Sequence, residues 1–175
     1  SALFIFLNKT GFNGLYRVNK RGEFNAAFNN AKHFYPDFTN LENLHKFFLD
    51  KQVVFLDGSY ENTLEYIDSK LKLTGYKNCF VYLDPPYKPV KKDSKGVSYT
   101  TDEFDDKKQE KLKAFCDELT ARGIKFLESN SDPDDSNYFE DLYSKYNITR
   151  VKASRKINCD AKGRGPINEL LIKNY

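Results

Sequence analysis

Cys79-Phe80-Val81-Tyr82-Leu83-Asp84-Pro85-Pro86-Tyr87 is the stretch on which the reading of this chain turns. Five apolar residues in a row, closed by a turn, read as a short buried strand. The character then changes at Asp84. Two consecutive prolines fix the backbone and remove two N–H donors, which frees the carbonyl just before or between them for a ligand. Asp84 adds a carboxylate acceptor, and Tyr87 adds a flat aromatic face. Ligands of open α/β sheets bind beyond the carboxyl ends of strands, and these four residues stand there. Acceptors beside a stacking surface suit a planar ring that bears an amino group. The alternative is a strand-terminating turn with no ligand.

Outward from this stretch, strands and helices alternate. Val53-Val54-Phe55-Leu56 is a predicted short strand, and Leu64, Ile67 and Leu71 share one helical face. Residues 105–122 carry Leu112, Phe115 and Leu119 on one face and stop at Gly123, which predicts a helix. Ile124 to Leu127 reads as a strand and Tyr138 to Tyr146 as a short helix. Ile148 to Ala153 and Glu169 to Lys173 read as two late strands with no helix between them, so they are expected to pair antiparallel. Alternation of this kind means an α/β sheet.

Upstream, residues 2–7 are apolar and stay ambiguous between a strand and a buried helix end. Asn8 to Gly14 is dense in turn formers. Residues 16–18 and 23–25 flank Asn19-Lys20-Arg21-Gly22, the pattern of a hairpin with a four-residue loop. Leu41, Leu44, Phe47 and Phe48 predict a short helix over 40–50. The chain thus divides into a segment 1–51 and an α/β part 52–175.

Composition narrows the classes. Lys and Arg number 28 and Asp and Glu 25, a formal charge of +3, which permits a polyanionic partner without demanding one. With 15 Phe and 12 Tyr the chain is not a disordered one. No apolar run approaches the roughly 18 residues of a membrane helix. No basic-then-apolar leader opens the sequence, so secretion is not expected. Cys79, Cys116 and Cys159 are odd in number and widely spaced, which fits a reducing compartment. His33 and His45 match no metal-ligand pattern, and no metal is expected. The chain contains no Met and opens within an apolar run. The expectation is a fragment of a longer protein whose sheet lacks its first strands. An apolar face is then left exposed or covered by a second copy, with self-association as the result.

Asp84-Pro85-Pro86-Tyr87 after an apolar strand resembles the catalytic motif of amino methyltransferases. The similarity is strongest to the Dam-like DNA adenine methyltransferases, the D12 class. Asn8-Lys9-Thr10-Gly11-Phe12-Asn13-Gly14-Leu15-Tyr16-Arg17-Val18-Asn19 with Gly22-Glu23-Phe24-Asn25 looks like the start of that family's target-recognition segment. Phe126-Leu127-Glu128-Ser129-Asn130-Ser131-Asp132 is similar to its Leu-Ser-Asn-Ser-Asp strand end. Ser154-Arg155-Lys156-Ile157-Asn158 and Asn168-Glu169-Leu170-Leu171-Ile172 resemble its closing motifs. These matches cover nearly the whole chain in the family's order.

The resemblance implies a fold and a chemistry. The fold is the C-terminal part of a Rossmann-like sheet ending in an antiparallel strand pair, with a small hairpin-bearing recognition subdomain. The chemistry is methyl transfer from S-adenosylmethionine to the exocyclic amine of a flipped adenine in double-stranded DNA, in a GATC-like site. It further implies a cytoplasmic enzyme of bacterial or phage type, with no membrane partner. Asp84 and the Pro85 carbonyl would hold the amine, Pro86 would stiffen the turn, and Tyr87 would stack on the base. The family's glycine-rich cofactor loop has no match here. On the cofactor side the resemblance leaves Tyr60, with Asp57 and Ser59 near it, and Asp84 at the boundary with the target. The alternative for Tyr60 is a core aromatic at a helix start. On the DNA side Phe12 would wedge into the base stack, Asn13 would touch backbone or base, Leu15 would give an apolar contact, and Arg17 would reach a guanine. Lys9, Lys20, Arg21, Arg155 and Arg164 are phosphate candidates, as are Lys88, Lys91, Lys92 and Lys95 in the loop 88–102. A solvated surface is the alternative for the basic residues. Ala26-Ala27-Phe28-Asn29-Asn30 departs from the family's Val-Pro-Phe-Gly, which weakens the assignment of GATC. Two other function classes stay open: a DNA-binding fragment without catalysis, and methylation of RNA or protein amines.

Overall fold

A glycine joins the two elements from which the core grows. Gly123 takes φ 73, and the amides of Gly123 and Ile124 donate to the carbonyls of Thr120 and Leu119, closing a helix and releasing a strand. The computed structural model describes residues 2–19, 21–30, 35–89, 104–133, 136–154 and 166–175. In chain order the helices and strands are α1 (Ala2–Thr10), α2 (Phe38–Asp50), α3 (Asn62–Leu71), β1 (Phe80–Leu83), α4 (Asp106–Ala121), β2 (Lys125–Ser131), α5 (Tyr138–Leu142), β3 (Asn147–Ser154) and β4 (Pro166–Lys173). The described residues fall into two compact units, one up to Gly58 and one from Ser59 onward.

The second unit is a mixed α/β sheet in the order β1-β2-β4-β3. β1 and β2 pair parallel, with Phe80 opposite Lys125 and Leu83 opposite Glu128. β4 runs antiparallel to both neighbours, with Leu170 opposite Asn130 on β2 and Arg150 on β3. The expected antiparallel pair is therefore present, and its second member also inserts against β2. Phe126, Glu128 and Asn130 alternate on one face of β2 and are fully buried. α4 covers that face with Gln109, Leu112, Phe115, Cys116 and Leu119. Asp105 caps α4, its carboxylate accepting from the Lys108 amide at 3.0 Å, which is worth about 1 kcal/mol. Burial of Phe126 alone contributes roughly 1.5–3 kcal/mol.

In this unit three elements differ from the sequence pattern by more than one residue at an end. β2 continues to Ser131 rather than stopping at Leu127, because the polar run Glu128 to Ser131 is buried and hydrogen-bonded instead of solvated. β4 begins at Pro166, three residues before the predicted Glu169, following β3 along its length. α5 ends at Leu142; beyond it Tyr143 and Tyr146 pack inward through a turn.

The first unit corrects two expectations. Residues 2–7 form neither a strand nor a buried helix end: they lie in α1, and Leu3, Phe4 and Phe6 are exposed. Val53 to Leu56 is not a strand, and all four side chains are exposed. A strand needs a partner for its backbone groups, and none among the described residues pairs with it. α2 starts two residues before the pattern, at Phe38, since Asp37 caps it through the Asn40 amide at 2.9 Å. The hairpin around residues 19–22 is present as a single antiparallel bridge, Val18 to Phe24. Asn19 Oδ1 accepts from the amides of Arg21 and Glu23, a local side-chain arrangement that competes with a longer ladder.

No helix among the described residues is long and apolar enough to cross a membrane. Phe80 and Tyr82 of β1 are 53% and 56% exposed, and Leu44, Phe47 and Leu49 of α2 are exposed as well. Exposed apolar side chains of this kind favour association where they form a contiguous patch. The 175-residue chain by itself is expected to sediment as associated species and to bind an apolar dye. A stable monomer that ignores the dye would refute this.

Candidate active site

β1 ends at Leu83, whose side chain is buried in the core, and the next residue emerges into solvent. Asp84 is exposed, and one carboxylate oxygen accepts from the Ser129 hydroxyl at 3.3 Å. The Ser129 hydroxyl also lies 3.0 Å from the Tyr82 hydroxyl. Among the described residues no ion pair engages Asp84, and neither its second oxygen nor the Pro85 carbonyl has a hydrogen-bond partner. Tyr87 is 36% exposed. Burial raises its pKa, with the Ser129 hydroxyl pulling the other way and Glu169, Asp84 and Tyr82 adding to the rise, so it stays a neutral phenol near pH 7.

The backbone of the turn is held from below. Gln109 Nε2 donates to the Pro86 carbonyl at 3.3 Å. Asn130 Oδ1 accepts from the Lys88 amide at 3.2 Å, and the Ser131 hydroxyl donates to the Lys88 carbonyl. Asn130 Nδ2 donates to Gln109 Oε1 at 3.3 Å and to Glu128 Oε1 at 3.2 Å. Glu128 also accepts from the Tyr143 hydroxyl at 2.7 Å and from the Cys116 thiol at 3.7 Å. Burial pushes the Glu128 carboxyl above its ordinary pKa, and those three donors oppose the rise. Among the described residues no buried side-chain polar atom lacks a partner.

Comparison with known proteins agrees with this architecture. Residues 1–157 match the model of the D12 class N6 adenine-specific DNA methyltransferases. The chain belongs to this family. It is 47% identical to the type II methyltransferase M.MjaIII of Methanocaldococcus jannaschii, over 99% of this chain and 57% of that protein. It is 31% identical to the DNA adenine methylase of Escherichia coli K12, over 98% of this chain and 57% of that protein. It is 28% identical to the type II methyltransferase M1.LlaDCHI of Lactococcus lactis, over all of this chain and 58% of that protein. The chain thus spans rather more than half the length of these curated relatives.

Asp84, Pro85, Pro86 and Tyr87 are contiguous, and the structure adds partners to them, of which the sequence pattern singles out the run Glu128 to Ser131 as a strand-end motif but not Gln109. Gln109 and the run Glu128 to Ser131 form the floor of the turn. Gln109 stands in register with Leu112, Phe115 and Leu119, and a polar residue on an apolar helical stripe is the signal that marks it. The Lys88 ammonium pairs with Asp106 and lies 4.1 Å from the centre of the Tyr138 ring. Tyr60 is half-buried, edge-on to Phe115 at 5.1 Å and packed against the core. No hydrogen bond or ring contact among the described residues joins it to Asp84 or Tyr87. The Ser59 hydroxyl donates to Glu61 at 3.0 Å, and Asp57 is exposed in the other unit.

In the first unit Lys9, Phe12, Asn13, Leu15 and Arg17 are all exposed. Gly11 turns the chain so tightly that a Cβ there would lie 2.8 Å from the Leu7 carbonyl oxygen. Asn13 and Gly14 then take φ 55 and 64, which presents Phe12 outward at 57% exposure. Arg17 Nε and Nη2 donate to the side chain and carbonyl of Asn25 at 2.9 and 3.0 Å. Arg21 is exposed beside them. Lys20, Lys91, Lys92, Lys95, Arg155 and Arg164 lie outside the described residues.

The raised pKa of Glu128 has a direction in pH. Its stabilising contribution is full below the ordinary value of 4.5 and is lost as pH rises through the higher folded value. Urea midpoints of wild type and Glu128→Gln should therefore diverge, the wild type losing ground to the variant from acid to neutral pH. A constant gap across that range would show that Glu128 titrates normally.

Proposed function

We propose that the protein carrying this chain transfers a methyl group from S-adenosylmethionine to the exocyclic amine of adenine in double-stranded DNA, within a GATC-like site. The observation that carries this is the pair of unused acceptors, the second Asp84 oxygen and the Pro85 carbonyl, beside the partly exposed Tyr87 ring. Family membership and the names of relatives such as DNA adenine methylase support it.

An adenine inside a duplex is out of reach and must be flipped out. Its amine carries two hydrogens and needs two acceptors. Asp84 and the Pro85 carbonyl take them and thereby aim the nitrogen lone pair away from the turn, while Tyr87 lies against the ring. The acceleration comes largely from this positioning. No enzyme nucleophile is needed: burial raises the pKa of both Cys79 and Cys116, so neither is an activated thiolate.

S-adenosylmethionine, when bound, supplies an electrophilic methyl group on a sulfonium. Two of the residues expected around it suit that group, Asp84 as an exposed carboxylate and Tyr60 as a half-buried ring. Ser59 suits it less, because its hydroxyl is spent on Glu61. Asp57 is exposed and unpaired among the described residues.

On the DNA side the exposed Phe12 is a wedge, with Asn13 and Leu15 beside it and Lys9 and Arg155 on phosphates. Arg17 keeps the Nη1–Nη2 edge of its guanidinium for the two major-groove acceptors of a guanine, since Asn25 holds the other edge.

Two measurements test these roles in the full-length protein. Transfer of labelled methyl to an adenine-containing duplex should fall on the order of a hundredfold or more in Asp84→Ala. Equal incorporation would remove Asp84 from the chemistry. Arg17→Ala should lose roughly 1–3 kcal/mol of discrimination between the cognate guanine and other bases, read as a ratio of kcat/KM values. Unchanged discrimination would mean that Arg17 does not read a base.

A further inference from the structure

Two side chains remote from the solvent-facing groups of the turn stand out, because both are fully buried, polar and turned onto its backbone. Gln109, on α4, donates Nε2 to the Pro86 carbonyl at 3.3 Å. Asn130, on β2, accepts the Lys88 amide on Oδ1 at 3.2 Å. Those two groups belong to the peptide units on either side of Tyr87. The clamping side chains are themselves joined, Asn130 Nδ2 to Gln109 Oε1 at 3.3 Å. Tyr87 is thus held at both its backbone ends by one hydrogen-bonded pair.

The orientation of both amides follows from their partners. Asn130 Oδ1 faces two N–H groups, those of Lys88 and Ser131, and its Nδ2 faces two acceptors, Gln109 Oε1 and Glu128 Oε1. A flip would set N–H against N–H and oxygen against oxygen. With Gln109 Oε1 taken by Asn130, only its amino group is left for Pro86. The pair is therefore locked in one arrangement, and so is the backbone from Pro86 to Lys88.

We propose that Gln109 and Asn130 are positioning residues that set the plane of the Tyr87 ring and, with it, the seat of the target base. This rests on the reading of Tyr87 as the stacking surface. Neither residue touches substrate; each acts through the peptide groups beside Tyr87. Loss of the Gln109 donor leaves the Pro86 carbonyl unmet and frees the Pro86–Tyr87 peptide to rotate, which tilts the ring.

The test uses the full-length protein with labelled tyrosines, the Tyr87 ring resonances being assigned with Tyr87→Phe. Gln109→Leu removes both bonds of the side chain. Gln109→Glu keeps the acceptor for Asn130 and loses the donor to Pro86, regaining it only when the new carboxyl is protonated. Glu128, Tyr143 and Cys116 titrate in the same network, with Lys88 and Asp106 at its rim, so each rate is taken as a ratio to wild type at the same pH. The expected result is that Gln109→Leu unfolds cooperatively as wild type does, shifts the Tyr87 resonances, and lowers kcat on the order of tenfold to a hundredfold with little change in KM for DNA. In Gln109→Glu the relative kcat should be low at neutral pH and recover as pH falls. Unmoved Tyr87 resonances with unchanged kcat in folded Gln109→Leu would overturn the proposal. So would loss of folding in both variants with no recovery of Gln109→Glu at low pH. If wild type transfers no methyl group to DNA, the functional reading fails on its own. The Tyr87 resonances then decide the clamp: shifted in Gln109→Leu they support it, unmoved they refute it.

Discussion

Asn130 spends both hydrogens and both lone pairs of its amide inside the protein, on Glu128, Gln109, Ser131 and Lys88. A buried polar group costs free energy unless it is paired, and a partly satisfied network is worse than an apolar core. Once Glu128 is placed under α4, the rest follows. The carboxylate needs donors, and Tyr143, Cys116 and Asn130 supply them. Asn130 needs a second acceptor, and Gln109 supplies it. Gln109 then has one amino group left, and the Pro86 carbonyl is where it goes. The turn after β1 is the end of a chain of satisfied polar groups that starts in the core.

This chain of needs explains why parts of the fold were legible in the sequence and others were not. α4 was read nearly to the residue, because Leu112, Phe115 and Leu119 give its period and Gly123 its stop. β1 and the antiparallel pair were equally readable from short apolar runs. The second half of β2 was not, since Glu128 to Ser131 looks like a solvated turn until its partners on α4, α5 and the loop are known. The run at 53–56 failed for the opposite reason: it is apolar enough for a strand, yet no partner strand is among the described residues. Helix α1 was obscured because its apolar residues lack a period and lie exposed. Within the site, Asp84 to Tyr87 could be found by local chemistry alone. The contacts of Gln109 and Asn130 with the turn could not, because separation in sequence hides their proximity in space, although Asn130 lies in the strand-end motif and Gln109 interrupts the apolar stripe of α4.

The first unit follows a different principle. Its candidate DNA residues are presented by backbone geometry rather than by a buried network. Gly11 allows a close approach that a side chain would block, and the left-handed pair Asn13 and Gly14 turns Phe12 outward. Arg17 is fixed by Asn25 across the hairpin, which lowers the entropy lost when its remaining edge takes up a ligand. Tyr16 sits between Phe4 and Phe24, at 5.1 and 5.7 Å between ring centres, and gives the exposed residues a stiff support.

The sorting of polar groups at the turn after β1 bears directly on what it can hold. The Pro86 carbonyl and both backbone groups of Lys88 are consumed by Gln109, Asn130 and Ser131. One oxygen of Asp84 is consumed by Ser129. The prolines have no N–H to offer. Two acceptors, an oxygen of Asp84 and the Pro85 carbonyl, remain without a partner among the described residues, beside the tyrosine face. Under the proposed function, an amine meets these two acceptors with its two hydrogens, whereas an oxo group placed against them would set oxygen against oxygen. On the proposed reading, the preference for an amino over an oxo base follows in part from which acceptors the framework leaves unused.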